Sequence, residues 1–423
     1  MDYSPRIVDN ELDELVAGLS AVSLEGPRAV GKTETASRRA STIHRLDDPG
    51  KLEIFNAAPE RLTDGTPPIL IDEWQRLPAS WDLVRRAVDN DPSPSRFLLT
   101  GSAVPSETPT HSGAGRIVTV RMRPMSLAER GIEQPTVRLA DLLSGRLPNL
   151  SGATPLGVVD YADEITRSGF PAIRGLSSRL LRAQLDGYLD RIVEHEFSEA
   201  GHQIRNKGAL RRWLGAYAAA SSTTASFEAI RDAASSGEHD KPAKTTTIPY
   251  RAILEQLWII EDVPAWIPTR NRLRRLATPP THQLCDPALA CRLLGVDTDV
   301  LIDGMPVGPP IVRDGTFFGS LFQSLVTLSV RTYAQANEAH VRHLRTRAGE
   351  HEIDLIVERG DGRVVALEVK LSATVHDEDT RHIRWLADTI GDDLLDAAVI
   401  TTGTEAYRRQ DGIGVIPAAL LTA

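Results

Sequence analysis

The sequence predicts an α/β fold opening on a doubly wound parallel sheet, and three observations carry that expectation. A complete GxxxxGK[ST] run, Gly26-Pro27-Arg28-Ala29-Val30-Gly31-Lys32-Thr33, lies between an apolar stretch (19–24) and a segment able to open a helix (34–40). A second aliphatic run, Pro68 to Glu73, ends in the carboxylate pair Asp72-Glu73. A third, Arg96 to Thr100, ends in Gly101-Ser102. Parallel strands covered on both faces read as continuous aliphatics, and the C-terminal ends of such strands are where open α/β sheets hold ligands.

The loop has a specific chemistry. Its backbone N–H groups cradle phosphates, the helix behind it adds a favourable dipole, and Lys32 would reach the terminal phosphates. Thr33 would place its hydroxyl on Mg²⁺. Asp72 would hold the same ion, directly or through water, and Glu73 would polarise the attacking water. Thr100 or Ser102 could sense the γ-phosphate, although a Thr-Gly-Ser strand end is also an ordinary turn. Arg116 follows the third strand at a distance that lets it face a neighbour's nucleotide, as an arginine finger supplied in trans by a homo-oligomer would. Arg28 and Arg121 compete for that role, and a plain surface arginine is the alternative for Arg116.

Composition bounds the rest. At 423 residues the chain should hold two or three domains. A formal charge of −9 argues against a nucleic-acid coat protein but leaves room for a local basic face. Cys285 and Cys291 are too few for a disulfide scaffold, which points to a reducing cytoplasm. The N-terminus lacks a charged-then-apolar signal, and no apolar run of about 18 residues implies a membrane span. Of 48 basic residues only six are lysines, so arginine is the default cation. Where lysine persists, as at Lys32 and Lys370, a compact ammonium is the natural explanation.

Three parts follow: residues 1–150, 156–300 and 308–423. The first closes on Ile117 to Glu129, a strand running into a Ser126-capped helix start. Residues 144–155, with Gly, Pro and Ser, read as a linker. The middle is mainly helical, interrupted by a polar loop (233–244) of the kind that is mobile. It includes a candidate helix-turn-helix, Phe227 to Ala234 and Thr245 to Ile260, with Ile253, Leu254, Leu257 and Ile260 as the apolar stripe. Trp258 to Pro268 would form a wing, with Arg270, Arg272, Arg274 and Arg275 behind it as phosphate contacts or a solvated face.

The third part holds a second sharp pattern. Glu352 to Glu358 and Arg363 to Lys370 flank the turn Arg359-Gly360-Asp361-Gly362 and read as a hairpin. A period of two puts Glu368 and Lys370 on one face, within reach of Asp354. Two carboxylates and an ammonium so placed can bind Mg²⁺ and orient a water for phosphodiester attack; a surface hairpin with a cross-strand ion pair is the alternative.

Together these residues resemble the prokaryotic P-loop ATPases of the AAA+ type that carry a C-terminal DUF4143 region. The resemblance runs through Gly26–Thr33, Ile69–Glu73, Leu98–Ser102 and Arg123–Glu129, then Tyr161–Pro171 with Arg174, and Thr281–Gly295. It implies ATP as ligand, a winged-helix-like middle and a nuclease-like end of the PD-(D/E)XK type, to whose motif Asp354, Glu368 and Lys370 correspond. The implied function is Mg²⁺-dependent ATP hydrolysis coupled to DNA binding or processing. The alternative is a nucleotide-gated regulator of DNA or a protein partner with an inactive nuclease-like domain. Two departures stand out. Gln323 replaces the family's usual glutamate, which removes a charged oxygen and weakens metal binding. Glu34 replaces the usual small polar residue after Thr33, which suits the helix dipole but adds an anion near the phosphates. A small-molecule kinase is less attractive, because the chain beyond the linker offers no obvious acceptor pocket.

Overall fold

The computed structural model describes residues 3–102, 113–197, 206–235, 243–268, 278–303, 315–346 and 349–423. After helix α1 (Val8–Gly18) come β1 (Ala21–Glu25), helix α2 (Lys32–Ser37), β2 (Thr42–Arg45), β3 (Ile69–Asp72), β4 (Phe97–Gly101) and β5 (Val118–Arg121). The five strands form one parallel sheet in the order β2-β3-β4-β1-β5. Alternate side chains go to opposite cores: Val22, Leu24, Leu70, Leu98 and Val120 to one, Ala21, Ile69, Ile71, Phe97 and Leu99 to the other. Burial on both faces explains why these strands read as unbroken aliphatics. The order places β1 between β4 and β5, so the loop leaving β1 opens at the point where strand order reverses, the usual ligand crevice of such sheets.

The middle of the chain is helical. Phe227–Ala233 and Lys244–Gln256 are the two helices of the expected pair, and Ile253, Leu254, Leu257 and Ile260 are buried as expected. The segment behind them is not a free-standing wing. Residues 260 and 263 bridge to Leu284 and Thr281, and then β7 (Ala265–Trp266) pairs in parallel with β8 (His340–Arg345). It thereby becomes the edge of the C-terminal sheet. Arg270, Arg272, Arg274 and Arg275 lie outside the described residues.

That sheet continues with β9 (Glu352–Glu358), β10 (Val364–Lys370), β11 (Leu394–Thr401), β12 (Tyr407–Arg408) and β13 (Gly414–Pro417), in the order β12-β13-β11-β10-β9-β8-β7. β9 and β10 form the expected antiparallel hairpin, with Val364 opposite Glu358. Along β10, Val365, Leu367 and Val369 join the core that includes Phe322 and Leu325 of the long helix Gly315–Gln335. Val364 and Ala366 pack with Ile383 and Leu386 of the helix Arg381–Ile390. The sheet is thus covered on both faces.

Residues 133–155 lie against this C-terminal sheet, not between separate units. β6 (Val137–Arg138) pairs with β14 (Leu421–Thr422), and Ala153 bridges to Glu405. Arg408 donates to the Pro148 carbonyl at 2.9 Å and pairs with Asp396 at 2.8 Å. The stretch expected as a linker is therefore a strap, fixed by partners more than 250 residues away. Among the described residues no helix is long and apolar enough to cross a membrane.

Candidate functional site

The phosphate-loop residues are held by close backbone packing. A Cβ on Gly26 would lie 2.0 Å from the Met122 carbonyl oxygen, so only hydrogen fits there. Gly31 sits at φ 101°, a left-handed position that favours glycine, and its peptide leads into α2. Val30 is buried, and Ala29 also has positive φ. Gly26→Ala should push the loop off β5. We expect nucleotide affinity to fall by at least about tenfold and stability by about 1–3 kcal/mol, the cost of overpacking. Fluorescent-nucleotide titration and thermal melts would check both; unchanged affinity would contradict it.

Lys32 is 5% exposed and its Nζ donates to the carbonyls of Gly26 at 2.8 Å and Pro27 at 2.7 Å. Burial lowers its pKa to about 8, with Glu73 the main opposing influence. Thr33 Oγ1 donates to Asp72 Oδ1 at 2.8 Å, and Thr100 Oγ1 donates to the same oxygen at 2.5 Å. Thr100 is fully buried, so it orients the carboxylate where sequence suggested phosphate sensing. Glu73 adopts a left-handed conformation (φ 59°, ψ 47°), a strain of about 1–3 kcal/mol. Its Oε2 accepts from Gln75 Nε2 at 2.5 Å and Ser102 Oγ at 3.2 Å. Lys32, Thr33, Arg45, Asp72, Glu73 and Arg76 line an open cleft of about 580 Å³.

The three arginines considered as fingers lie in different places. Arg116 pairs with Asp89 at 2.8 Å and is not among the residues lining the cleft. Arg121 stacks over Trp258, 3.8 Å from the ring centroid, and pairs with Glu261. Arg28 lines the cleft and pairs with Glu196 at 2.7 Å.

The second constellation is also assembled. Lys370 Nζ donates to Glu368 Oε1 at 2.8 Å. Asp354 Oδ2 accepts from the Val369 N–H at 2.8 Å, and its Oδ1 accepts from Gln323 Nε2 at 2.9 Å. Burial pushes both carboxyl pKa values up, and Asp354 raises that of Glu368 further. Glu368 Oε2 is buried without a hydrogen-bond partner. The site offers the Mg²⁺ that the family pattern implies one carboxylate fewer than that pattern, the Gln323 amide standing in the third place, so it would hold the ion weakly. Among the described residues no group of three or more His, Cys, Asp or Glu is placed to hold a metal.

Comparison with known proteins finds matches along most of the chain. Residues 20–130 match the model of an AAA domain, and residues 318–421 match the domain of unknown function DUF4143. The chain is a P-loop protein with an N-terminal AAA domain and a C-terminal DUF4143 region. Between them, residues 158–300 match a further domain of unknown function, DUF8612. Uncharacterized proteins of Mycobacterium tuberculosis and Mycobacterium bovis are each 24% identical over 420 residues, covering 94% of this chain and 80% of theirs. A Walker-type ATPase of Pyrococcus abyssi is similar at 15% identity and a TM-score of 0.39, over 67% of this chain and 94% of that one.

Buried charges join the AAA domain to the other regions. Arg6, ahead of α1, donates from Nη1 to the Val30 carbonyl of the phosphate loop at 2.8 Å and from Nη2 to the Arg123 carbonyl at 2.7 Å. Its Nε pairs with Glu129 Oε1 at 3.0 Å, both side chains 3% exposed. Glu129 in turn accepts from the N–H of Ser126, closing the capping box at the expected helix start. Glu261 of the middle region pairs with Arg121 and Arg123 of the AAA domain. Arg331 of the DUF4143 helix donates to the Glu261 and Asp262 carbonyls. Burial of Glu261 opposes its charge, but Arg121, Arg123 and Arg331 outweigh it and hold its pKa well below the usual carboxylate range. Gln335 on the same helix accepts from Arg123 and donates to Glu11. Sequence reasoning misses Arg6, Glu196, Glu261 and Arg331, whose partners lie far away in the chain. Gln75 and Arg76 were within reach, since they follow Glu73 in the 3₁₀ turn Trp74–Arg76.

Proposed function

We propose that the AAA domain is a Mg²⁺-dependent ATPase whose nucleotide state acts, through residues 156–300 and 308–423, on DNA. The observation that carries this reading is the convergence of Lys32, Thr33 and Asp72 on one cleft, with Glu73 beside them. The Thr33 hydroxyl and Asp72 carboxylate are hard oxygen donors 2.8 Å apart, which fits Mg²⁺ held by those two residues. When bound, the ion would neutralise charge on the phosphates. Lys32 contributes a desolvated ammonium for the terminal phosphates. Glu73, its carboxylate steadied by Gln75 and Ser102, orients the attacking water. A reducing cytoplasm suits such an enzyme.

One observation favours a second reading of the C-terminal region. Gln323 donates to Asp354 where a third carboxylate would assist a cation. This supports a region that binds DNA, or a protein partner, without cutting it. Steady-state ATP hydrolysis with and without duplex DNA, scored beside DNA integrity, separates the readings. DNA-stimulated turnover with intact DNA is the expected result. Metal-dependent loss of intact DNA that disappears in Asp354→Ala would restore the nuclease reading. Turnover indifferent to DNA would point to a protein partner.

A further inference from the structure

The cleft wall opposite the phosphate loop carries two cations that the proposed chemistry has not used. Arg45 is the last residue of β2, in register with Asp72. Arg76 closes the turn that begins at the strained Glu73, its N–H donating to the Glu73 carbonyl at 3.0 Å. Both are exposed and both line the cleft with Lys32 and Thr33. They differ from the other charged arginines near the loop. Arg28 pairs with Glu196, Arg121 with Glu261 and Arg116 with Asp89. Among the described residues Arg45 and Arg76 have neither an ion pair nor a side-chain hydrogen bond with protein. A guanidinium facing a phosphate site with no carboxylate partner is available for phosphate oxygens, for which its planar fork of donors is suited.

We infer that Arg76 is the arginine that contacts the γ-phosphoryl group, supplied in cis, with Arg45 as a second phosphate contact beside the Asp72 end of β3. The inference rests on the ATPase reading above and assigns the finger role to this chain's own cleft wall instead of to Arg116 of another copy. The turn geometry provides the reason. Glu73 and Arg76 lie on one 3₁₀ turn, so the residue that orients water and the cation that steadies the phosphoryl group move as a unit. In the step, the water oxygen bonds to the γ-phosphorus while the bond from that phosphorus to the β–γ bridging oxygen breaks. ADP leaves with the electron pair, and the water proton passes to Glu73. Arg76 N–H groups donate to the equatorial γ-oxygens as their charge spreads.

The test compares Arg76→Ala and Arg76→Lys with the unmodified chain in single-turnover ATP hydrolysis, together with titrations of fluorescent ADP and a non-hydrolysable ATP analogue. Arg76→Ala should lose turnover on the order of 10³-fold, the scale of an arginine finger, with ADP affinity changed less than about twofold. Arg76→Lys should recover a part of the turnover, and Arg45→Ala should mainly weaken the triphosphate analogue. Turnover per chain should not depend on protein concentration. Arg76→Ala turning over within threefold of the unmodified chain would overturn the inference. So would recovery of turnover on mixing Arg76→Ala with Lys32→Ala chains, which would place the arginine in trans. An unmodified chain that binds ATP without turnover would defeat the ATPase reading alone. Arg76 would then be judged by binding, where Arg76→Ala must lose the preference for triphosphate over diphosphate. A chain that binds no nucleotide overturns both.

Discussion

Lys32→Ala is expected to abolish measurable ATP turnover, a loss on the order of 10²–10³-fold or more, while leaving the fold intact. The magnitude follows from removing one preorganised cation from a site that stabilises developing charge. The fold should survive because the ammonium serves no other region: its partners are the Gly26 and Pro27 carbonyls of its own loop. Loss of the side chain leaves two loop carbonyls without their donor, a cost confined to the loop, and α2 gains a better helix former at its first position. A malachite-green phosphate assay reads the turnover, and circular dichroism with a thermal melt reads the fold. Turnover retained within tenfold, with a normal melt, would show that the loop does not act on the terminal phosphates.

What the sequence disclosed and what it hid divide along one physical line. Gly26–Thr33, the Asp72-Glu73 strand end and the β9–β10 hairpin are local patterns, complete within six to nineteen consecutive residues. Their geometry follows from strand alternation and turn chemistry, so the residues alone place them. The buried arginine pairs are different. Arg6 meets Glu129 across 123 residues and Arg123 meets Glu261 across 138. An arginine in a charged sequence carries no mark saying which carboxylate it will find. β7 illustrates the same limit for backbone. Ala265-Trp266 reads as part of a wing because its neighbours in sequence are the second helix of the pair. Its actual partner is the edge of β8, which offered unpaired backbone groups to whichever strand lay nearby. Residues 144–155 read as a linker from Gly, Pro and Ser content. That composition fits a strap lying against a sheet edge equally well.

The meeting of Arg121, Arg123, Glu261, Arg331 and Gln335 joins the β5 end of the AAA domain to the DUF4143 region. Gly26 packs on the Met122 backbone, and Arg121 and Arg123 flank that residue. The long helix carries Arg331 and Gln335 near one end and Gln323 twelve residues earlier than Gln335, about 18 Å along its axis at 1.5 Å per residue. Gln323 touches Asp354. A single rigid helix therefore contacts both the β5 end beside the phosphate loop and the candidate C-terminal site.

Arg6→Met should cost about 3–5 kcal/mol of stability, because it leaves the Glu129 carboxylate buried without its cation. The environment makes this estimate apt: both side chains are 3% exposed, so water cannot rehydrate the stranded charge. Two carbonyls, Val30 and Arg123, lose their donor as well, and the first belongs to the phosphate loop. The variant should consequently show weaker nucleotide binding in addition to a lower Tm. Lys32→Ala should not lower the Tm in this way, so the pair distinguishes a structural cation from a chemical one. The double variant Arg6→Met/Glu129→Gln provides the decisive comparison. It removes the stranded charge, and its one amide oxygen can keep either the Ile7 N–H now on Oε1 or the Ser126 N–H now on Oε2, the amide NH2 facing the other. If the buried charge is the main penalty, the double variant should regain about half of the loss in denaturant melts. If instead the two effects simply add, the ion pair contributes little, and packing of the Arg6 stem beneath the loop is what holds the N-terminus in place.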